Sequence, residues 1–336
     1  MIRLVQLQHA TQGRRVALVD AAQLRLLRQY RTVYDCALTA IENNSGLERV
    51  VLDNVSEWLL DYDAIYADKS EWRLLPAFDH PDEPARCLIT GTGLTHKQSA
   101  DNRDAMHRAD KTAAPPVTDS KRMYQSGVEG GRPEPGQIGV QPEWFYKGCG
   151  TILRPHGAPL EVPAYAEDGG EEAEIAAAYL NDAQGRPWRV GFAISNEFSD
   201  HKMERQNYLY LAPSKLRECA LGPELVVGAD FGDVQGHARI ERAGETLWEH
   251  ALLSGEANMT HTLANLEHHQ FKYAAHRRPG DVHIHFFGTG AFSFGDNVVL
   301  DDGDIMEIAF EGYGRPLHNP VRLDRSEPTL TTVGVL

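Results

Sequence analysis

Short apolar-rich runs over residues 2–7 and 15–18, parted by polar turn residues, predict a hairpin at the start of the chain. Asp20 then caps a predicted helix whose apolar stripe is Leu24, Leu27, Tyr30, Tyr34, Ala37, Leu38 and Ile41, spaced by threes and fours. Asn43-Asn44-Ser45-Gly46 stops it, and a second amphipathic helix is expected over 50–66. The proline-rich stretch Phe78-Asp79-His80-Pro81-Asp82-Glu83-Pro84 reads as a linker, so residues 1–85 form a small α/β domain. A strand at 86–90 leads into a polar passage rich in glycine and proline. Its weak periodicity marks 91–137 as either a disordered insertion or a lid over a site. From Trp144 onward, short apolar runs alternate with glycines and turns such as Asp301-Asp302-Gly303-Asp304, with one helix expected over 260–273. The pattern as a whole is α+β, with a β-rich second domain filling 86–336.

Composition narrows the partners more than the fold. The 336 residues carry enough apolar side chains for a substantial core, and the net charge is −15. Basic clusters such as His276-Arg277-Arg278 are isolated, which argues against nucleic acid or an anionic membrane as partner. Cys36, Cys87, Cys149 and Cys219 form no CxxC pair, so thiols in a reducing compartment are expected. No run reaches membrane-spanning length and the first residues form no apolar leader, so the expected location is cytoplasmic.

Glu172-Ala173-Glu174 is the strongest candidate for chemistry. On a strand, residues i and i+2 face one way, so both carboxylates share a side while Ala173 and Ile175 pack on the other. Adjacent like charges are costly unless a cation neutralises them. A solvated acidic turn would use the same letters, since Asp168-Gly169-Gly170-Glu171-Glu172 is polar. Further on, the apolar run from Gly191 ends in Asn196-Glu197-Phe198-Ser199, the pattern of a buried strand delivering a third carboxylate at its end. Three such groups make a hard-cation site suited to Mg²⁺ rather than to zinc or copper.

Other motifs add less. His283 and His285 alternate on a β-pattern and read as hydrogen-bonded strand histidines rather than ligands. His268-His269 are expected to be structural, and His261 to approach the site. Gly288-Thr289-Gly290 offers backbone N–H groups and the Thr289 hydroxyl to a carboxylate, although a plain tight turn would look alike. Asp301-Asp302-Gly303-Asp304 lacks the EF-hand ligand order, and no phosphate-binding glycine fingerprint occurs, so no nucleotide cofactor is expected.

Taken in order, several motifs resemble the fumarylacetoacetate hydrolase family over roughly 142–320. They are Glu172-Ala173-Glu174, Asn196-Glu197-Phe198-Ser199, Lys215 ahead of Gly222-Pro223, Ser254-Gly255-Glu256, Pro279-Gly280-Asp281 with Gly288-Thr289, and Gly303-Asp304. The resemblance implies a mixed β-sandwich roll with a metal at its open end, in a homodimer or higher homo-oligomer. It also implies Mg²⁺, or Mn²⁺ in its place, on Glu172, Glu174 and Glu197, with Lys215 beside them.

Three departures shape the expected reaction. The family's third ligand is Asp, whereas Glu197 is one methylene longer. His201 and Glu204 stand where the hydrolases hold substrate with Arg and Gln; Arg205 and Gln206 fall just beyond. In Gly93-Leu94-Thr95-His96-Lys97-Gln98-Ser99-Ala100, Ser99 occupies the position of the lid histidine that activates water in the hydrolases. Without that base hydrolysis is disfavoured, and His96 is the nearest replacement. The helical N-terminal unit and the run Arg205-Gln206-Asn207-Tyr208-Leu209-Tyr210-Leu211 resemble the branch that dehydrates 2-keto-3-deoxy sugar acids. That likeness implies a Mg²⁺-dependent dehydratase turning a 2-keto-3-deoxypentonate, a small sugar acid, into 2,5-dioxopentanoate. Lys215 would take the C3 proton with Glu197 and His96 nearby, and Ser99, Arg205, Tyr208 and Thr289 would contact substrate. The alternatives are a C–C hydrolase of 2,4-diketo acids with His96 as water base, and a sugar-acid-binding homologue without turnover.

Overall fold

The computed structural model describes residues 1–97, 100–101 and 118–336. Among these residues the strands build two sheets. The larger one runs, neighbour to neighbour, through Val55–Asp61, Gln23–Leu27, Gly13–Asp20, Ile2–His9, Leu225–Val227, Pro187–Asn196, Ala173–Asn181, Val282–Phe286, Cys87–Gly93 and Glu143–Cys149. Along this path pairing is antiparallel except between Val282–Phe286 and Cys87–Gly93, which run parallel. The smaller sheet orders Glu245–Ser254, Val234–Arg242, Ile305–Phe310, Leu317–Leu323 and Leu160–Val162. Mixed sheets with a few short helices make this an α+β chain. Ile2–His9 pairs with Leu225–Val227, so the first strands continue the sheet that holds the later ones.

Ala173–Asn181 is buried along its whole length, which makes it the central element. Ala173, Ile175, Ala177 and Tyr179 face a core shared with Ala238, Ile240, Met306 and Ile308 of the smaller sheet. Ala176, Ala178 and Leu180 face a second core with Val33, Cys36 and Ala37 of the helix Val33–Glu42. Alanines on both faces let the layers close tightly around the strand, so its end is a rigid place to mount side chains.

The N-terminal elements differ from expectation. The hairpin is present as Ile2–His9 with Gly13–Asp20, but the helix expected to follow Asp20 divides in two. Gln23–Leu27 is a strand, and only Val33–Glu42 is helical, capped by Thr32, whose side chain accepts from the Asp35 N–H. Ala21 takes a left-handed φ of 53°, which turns the chain so that Leu24 pairs with Val19 and Leu26 with Ala17. The alternation of Leu24 and Leu26 is thus a strand period inside what reads as a helical stripe. The helix expected over 50–66 is instead helix Leu47–Leu52, edge strand Val55–Asp61 and helix Tyr62–Tyr66. Trp58 and Leu59 stay exposed on that edge, so the half-apolar pattern comes from a strand with water beside it. The helix expected over 260–273 is Leu263–Phe271, with Thr262 as its cap. Within 91–137, the described residues include the helix Asp119–Gly130. It lies so close to Thr260 and His261 that a Cβ at Gly127 would come within 2.8 Å of the Thr260 hydroxyl. No helix among the described residues is long and apolar enough to cross a membrane.

His283 and His285 are strand histidines with hydrogen bonds, as expected. The His285 ring lies between the hydroxyls of Thr90, 2.7 Å from Nδ1, and Thr92, 2.8 Å from Nε2. His283 Nδ1 meets Gln270 Nε2 at 3.1 Å. Burial pushes His283 down to about 4 and His285 down to about 3. An unfolded histidine titrates near ~6.5, so below that pH the unfolded chain binds protons that the native rings refuse. Stability present above ~6.5 is therefore lost as pH falls, by about 1.4 kcal/mol per pH unit for each such ring. The unfolding free energy should fall from pH 6.5 towards 4.5 in denaturant titrations, and H285Q should flatten that slope by one ring's share. An unchanged slope in H285Q would show that the native ring protonates freely.

Candidate metal and catalytic centre

The site forms where two neighbouring strands end. Ala173–Asn181 and Pro187–Asn196 pair with Ala173 opposite Asn196, and the ladder runs one step further as the Glu197 N–H donates to the Glu172 carbonyl at 2.9 Å. This register brings Glu172 level with Glu197, while Glu174 follows two residues on along its own strand. One carboxylate oxygen from each of Glu172, Glu174 and Glu197 lies within 4.8 Å of the others, and all three residues are buried. Burial, then the charges of Glu197 and Glu172, push the Glu174 carboxyl well above its usual range. Burial also raises Glu197, against the pull of Lys215 and Lys147. The convergent donors are all carboxylate oxygens, so the residues present fit a hard divalent cation.

Two lysines hold the cluster together. Lys215 ends the helix Leu211–Lys215 and is fully buried. Its Nζ donates to Glu172 Oε1, to Glu197 Oε2 at 3.1 Å and to the Ser199 hydroxyl at 3.2 Å. The Phe145 ring covers that ammonium, 5.0 Å away. Lys147, from Glu143–Cys149, is also fully buried. Its Nζ donates to Glu197 Oε1 at 3.0 Å, to the Phe198 carbonyl at 2.6 Å and to the Lys215 carbonyl at 3.1 Å. Three further groups complete the surround. The Gly288 N–H donates to Glu174 Oε2 at 2.7 Å, and His201 Nε2 meets Glu172 Oε1 at 3.1 Å. The neighbouring Glu171 accepts from the Ser293 N–H and hydroxyl at 2.6 and 2.8 Å.

The other expected residues fall at different distances from this centre. His96 is buried, its Nδ1 2.9 Å from the Thr95 hydroxyl, which donates to the Phe287 carbonyl at 2.6 Å. Gly288 touches the same hydroxyl so closely that a Cβ there would lie 2.2 Å away, so His96 reaches the cluster through Thr95 and Gly288. Burial lowers the His96 imidazole to about 4. Thr289 is buried, but its hydroxyl serves the turn by donating to the Ala291 carbonyl at 2.7 Å. It is the N–H of Gly288, one residue earlier, that reaches a carboxylate. Tyr208 is half-buried and its hydroxyl donates to Glu143 Oε2 at 2.8 Å. Arg205 is exposed, its guanidinium 5.6 Å from the centre of the Phe294 ring. Ser99 lies outside the described residues. His261 hydrogen-bonds to Asn265 Nδ2 at 3.1 Å under the helix Asp119–Gly130.

Sequence reasoning missed Lys147 and Glu143 altogether, and saw His201 only as a departure. The available signal was Glu143-Trp144-Phe145-Tyr146-Lys147, whose alternation puts Glu143, Phe145 and Lys147 on one buried face. Charged residues at the inward positions of a strand are the cue.

No protein-family model matches the chain. In sequence it is similar to the 2-dehydro-3-deoxy-D-arabinonate dehydratase of Saccharolobus solfataricus, 29% identical over 192 residues, which cover 55% of this chain and 60% of that one. It is also similar to a probable 2-keto-3-deoxyxylonate dehydratase of Haloferax volcanii, 25% identical over 179 residues, 52% of this chain and 58% of that one. The match thus spans less than two thirds of either relative. Among solved structures, a 2-keto-3-deoxy-D-arabinonate dehydratase complexed with magnesium and 2,5-dioxopentanoate superposes with a TM-score of 0.71 at 20% identity, covering 96% of this chain and all of that one. A 2-hydroxyhepta-2,4-diene-1,7-dioate isomerase from Mycobacterium marinum superposes with a TM-score of 0.59 at 16% identity, covering 97% of this chain and all of that one. The chain has the fold of these enzymes, and its sequence likeness supports the fumarylacetoacetate hydrolase resemblance on the sugar-acid dehydratase side.

Proposed function

We propose that the chain is a hydro-lyase that removes water from a 2-keto-3-deoxypentonate, with Mg²⁺ or Mn²⁺ on Glu172, Glu174 and Glu197. The observation that carries this reading is the union of an all-carboxylate cluster with a buried lysine bonded to two of its members. A divalent cation held there supplies Lewis acidity toward the carboxylate and ketone oxygens of a 2-keto acid, which acidifies the C3 hydrogens. In this reading Lys215, in its amine form, takes the proton from C3. The hydroxyl on C4 leaves with a proton as water and a C3–C4 double bond forms; return of a proton to C3 with loss of one from C5 shifts that bond to C4–C5, and the enol so formed takes a proton at C4 and gives up its hydroxyl proton, leaving the aldehyde of 2,5-dioxopentanoate. No outside water is consumed.

His96 weighs on the choice of reaction. An imidazole lowered to about 4 is neutral near pH 7 and a weak base, so it suits hydrogen bonding to a substrate hydroxyl better than activating water. This disfavours the hydrolase of 2,4-diketo acids. Pure binding would not need a lysine set among the carboxylates. Arg205, Tyr208, Thr289 and Ser99 are proposed as substrate contacts, of which Arg205 is exposed and Tyr208 half-buried. In the same reading residues 1–85 are a small N-terminal domain and 86–336 a β-sandwich roll, with 91–137 as its lid, in a homodimer or larger homo-oligomer.

Incubation with Mg²⁺ and 2-keto-3-deoxypentonates should give 2,5-dioxopentanoate, detected by mass spectrometry, and EDTA should abolish it. Pyruvate released from a 2,4-diketo acid, with no dioxopentanoate from the sugar acid, would replace this reading by the hydrolase. E174Q should lose the rise in melting temperature that Mn²⁺ gives the wild type. The metal-free E174Q protein should melt no lower than the wild type, because a neutral amide removes the repulsion from Glu172 and Glu197. An E174Q protein still stabilised by Mn²⁺ would place the cation elsewhere.

A further inference from the structure

We infer that His201 is a positioning residue for the cation site: it holds the Glu172 carboxylate in place and makes no contact with substrate. The inference rests on the reading of Glu172 as a ligand. His201 opens the helix His201–Gln206, whose first turn is fixed by Asp200 accepting the Met203 N–H at 2.9 Å. Its ring is enclosed by three sets of neighbours. Nε2 meets Glu172 Oε1 at 3.1 Å. Phe292 and Phe294 stack on the ring, with centroids 5.0 and 5.1 Å away and planes inclined by 14° and 29°. Nδ1 abuts Gly170, where a Cβ would come within 2.5 Å of it, so only glycine leaves room for the ring. His201 is 1% exposed, and Arg205 lies over the Phe294 ring beyond it. A ring packed in this way has its direction fixed toward Glu172 and cannot swing outward.

The contact has a consequence for Lys215. Glu172 Oε1 accepts from both His201 and Lys215, so two donors share one oxygen. If Lys215 turns away to handle a proton, His201 still anchors that oxygen. Hydrogen bonds to ligating carboxylates fix their orientation, and losing such a partner typically weakens metal binding about 10- to 100-fold.

The test is calorimetric titration of the full chain with Mn²⁺, alongside the melting temperature of the protein in chelator. H201F keeps an aromatic ring beside Phe292 and Phe294 but loses the donor. Its Kd for Mn²⁺ should rise about 10- to 100-fold, with the melting temperature in chelator little changed. H201Q offers an amide N–H in place of Nε2 and should recover most of the loss. G170A leaves His201 in the chain but displaces its ring, and should weaken Mn²⁺ binding as H201F does. A wild-type Kd in both H201F and G170A would overturn the inference; should H201F fail to fold, G170A and H201Q decide by the same readout. E172Q separates the two levels of the argument. Loss of binding in E172Q with none in H201F and G170A sinks the role of His201 alone, whereas normal binding in E172Q sinks the site reading and this inference with it.

Discussion

Burying three carboxylates within 4.8 Å of one another is the constraint around which this structure is built. Each charge taken out of water carries a penalty of several kcal/mol, and the three also repel one another. The chain answers with two buried ammonium groups, an imidazole nitrogen and a backbone N–H, which between them reach all three carboxylates. Lys147 shows how closely these supports are joined. Its three donated bonds go to a cluster carboxylate, to the carbonyl of the residue after it and to the carbonyl of Lys215. The same ammonium therefore fixes both a candidate ligand and the backbone that carries the candidate base.

The sheet supplies what these contacts need, a register that does not drift. A one-residue slip between Ala173–Asn181 and Pro187–Asn196 would turn Glu174 toward the core between the sheets and uncouple Glu172 from Glu197. Burial of Ala173–Asn181 on both faces forbids that slip, because every apolar side chain along it is already committed to one of two cores. The site thus continues a strand that is buried along its whole length.

The motif order was legible in the sequence because each motif is local: an acid pair on one strand, an acid at the end of the next, a lysine one short helix later. Contacts that join distant segments were not. Lys147 reaches Glu197 across 50 residues, and nothing around it in sequence advertises a carboxylate partner. The direction of His201 depends on Phe292 and Phe294, which arrive much later in the chain, and on Gly170, whose lack of a side chain makes the room. Near the N-terminus the difficulty was different. Leu24 and Leu26 satisfy a strand period while Leu24 and Leu27 satisfy a helical one, and the left-handed turn at Ala21 that decides between them is unusual for alanine.

Charge at the centre also bears on the order of events. Ionised together, as binding of a cation requires, the three carboxylates exceed the charge of Lys147 and Lys215 by one. A divalent cation reverses that sign, so under the proposed reading the loaded site attracts the anion. Arg205 and Tyr208 lie on short segments at or near the surface, whereas the groups that would hold the cation are buried at strand ends. The exposed Arg205 side chain can change with little cost to folding, whereas a change at Glu172 or Glu197 takes a charge partner from the buried Lys215 or Lys147. Choice of substrate can therefore vary on this chain more readily than the site that activates it.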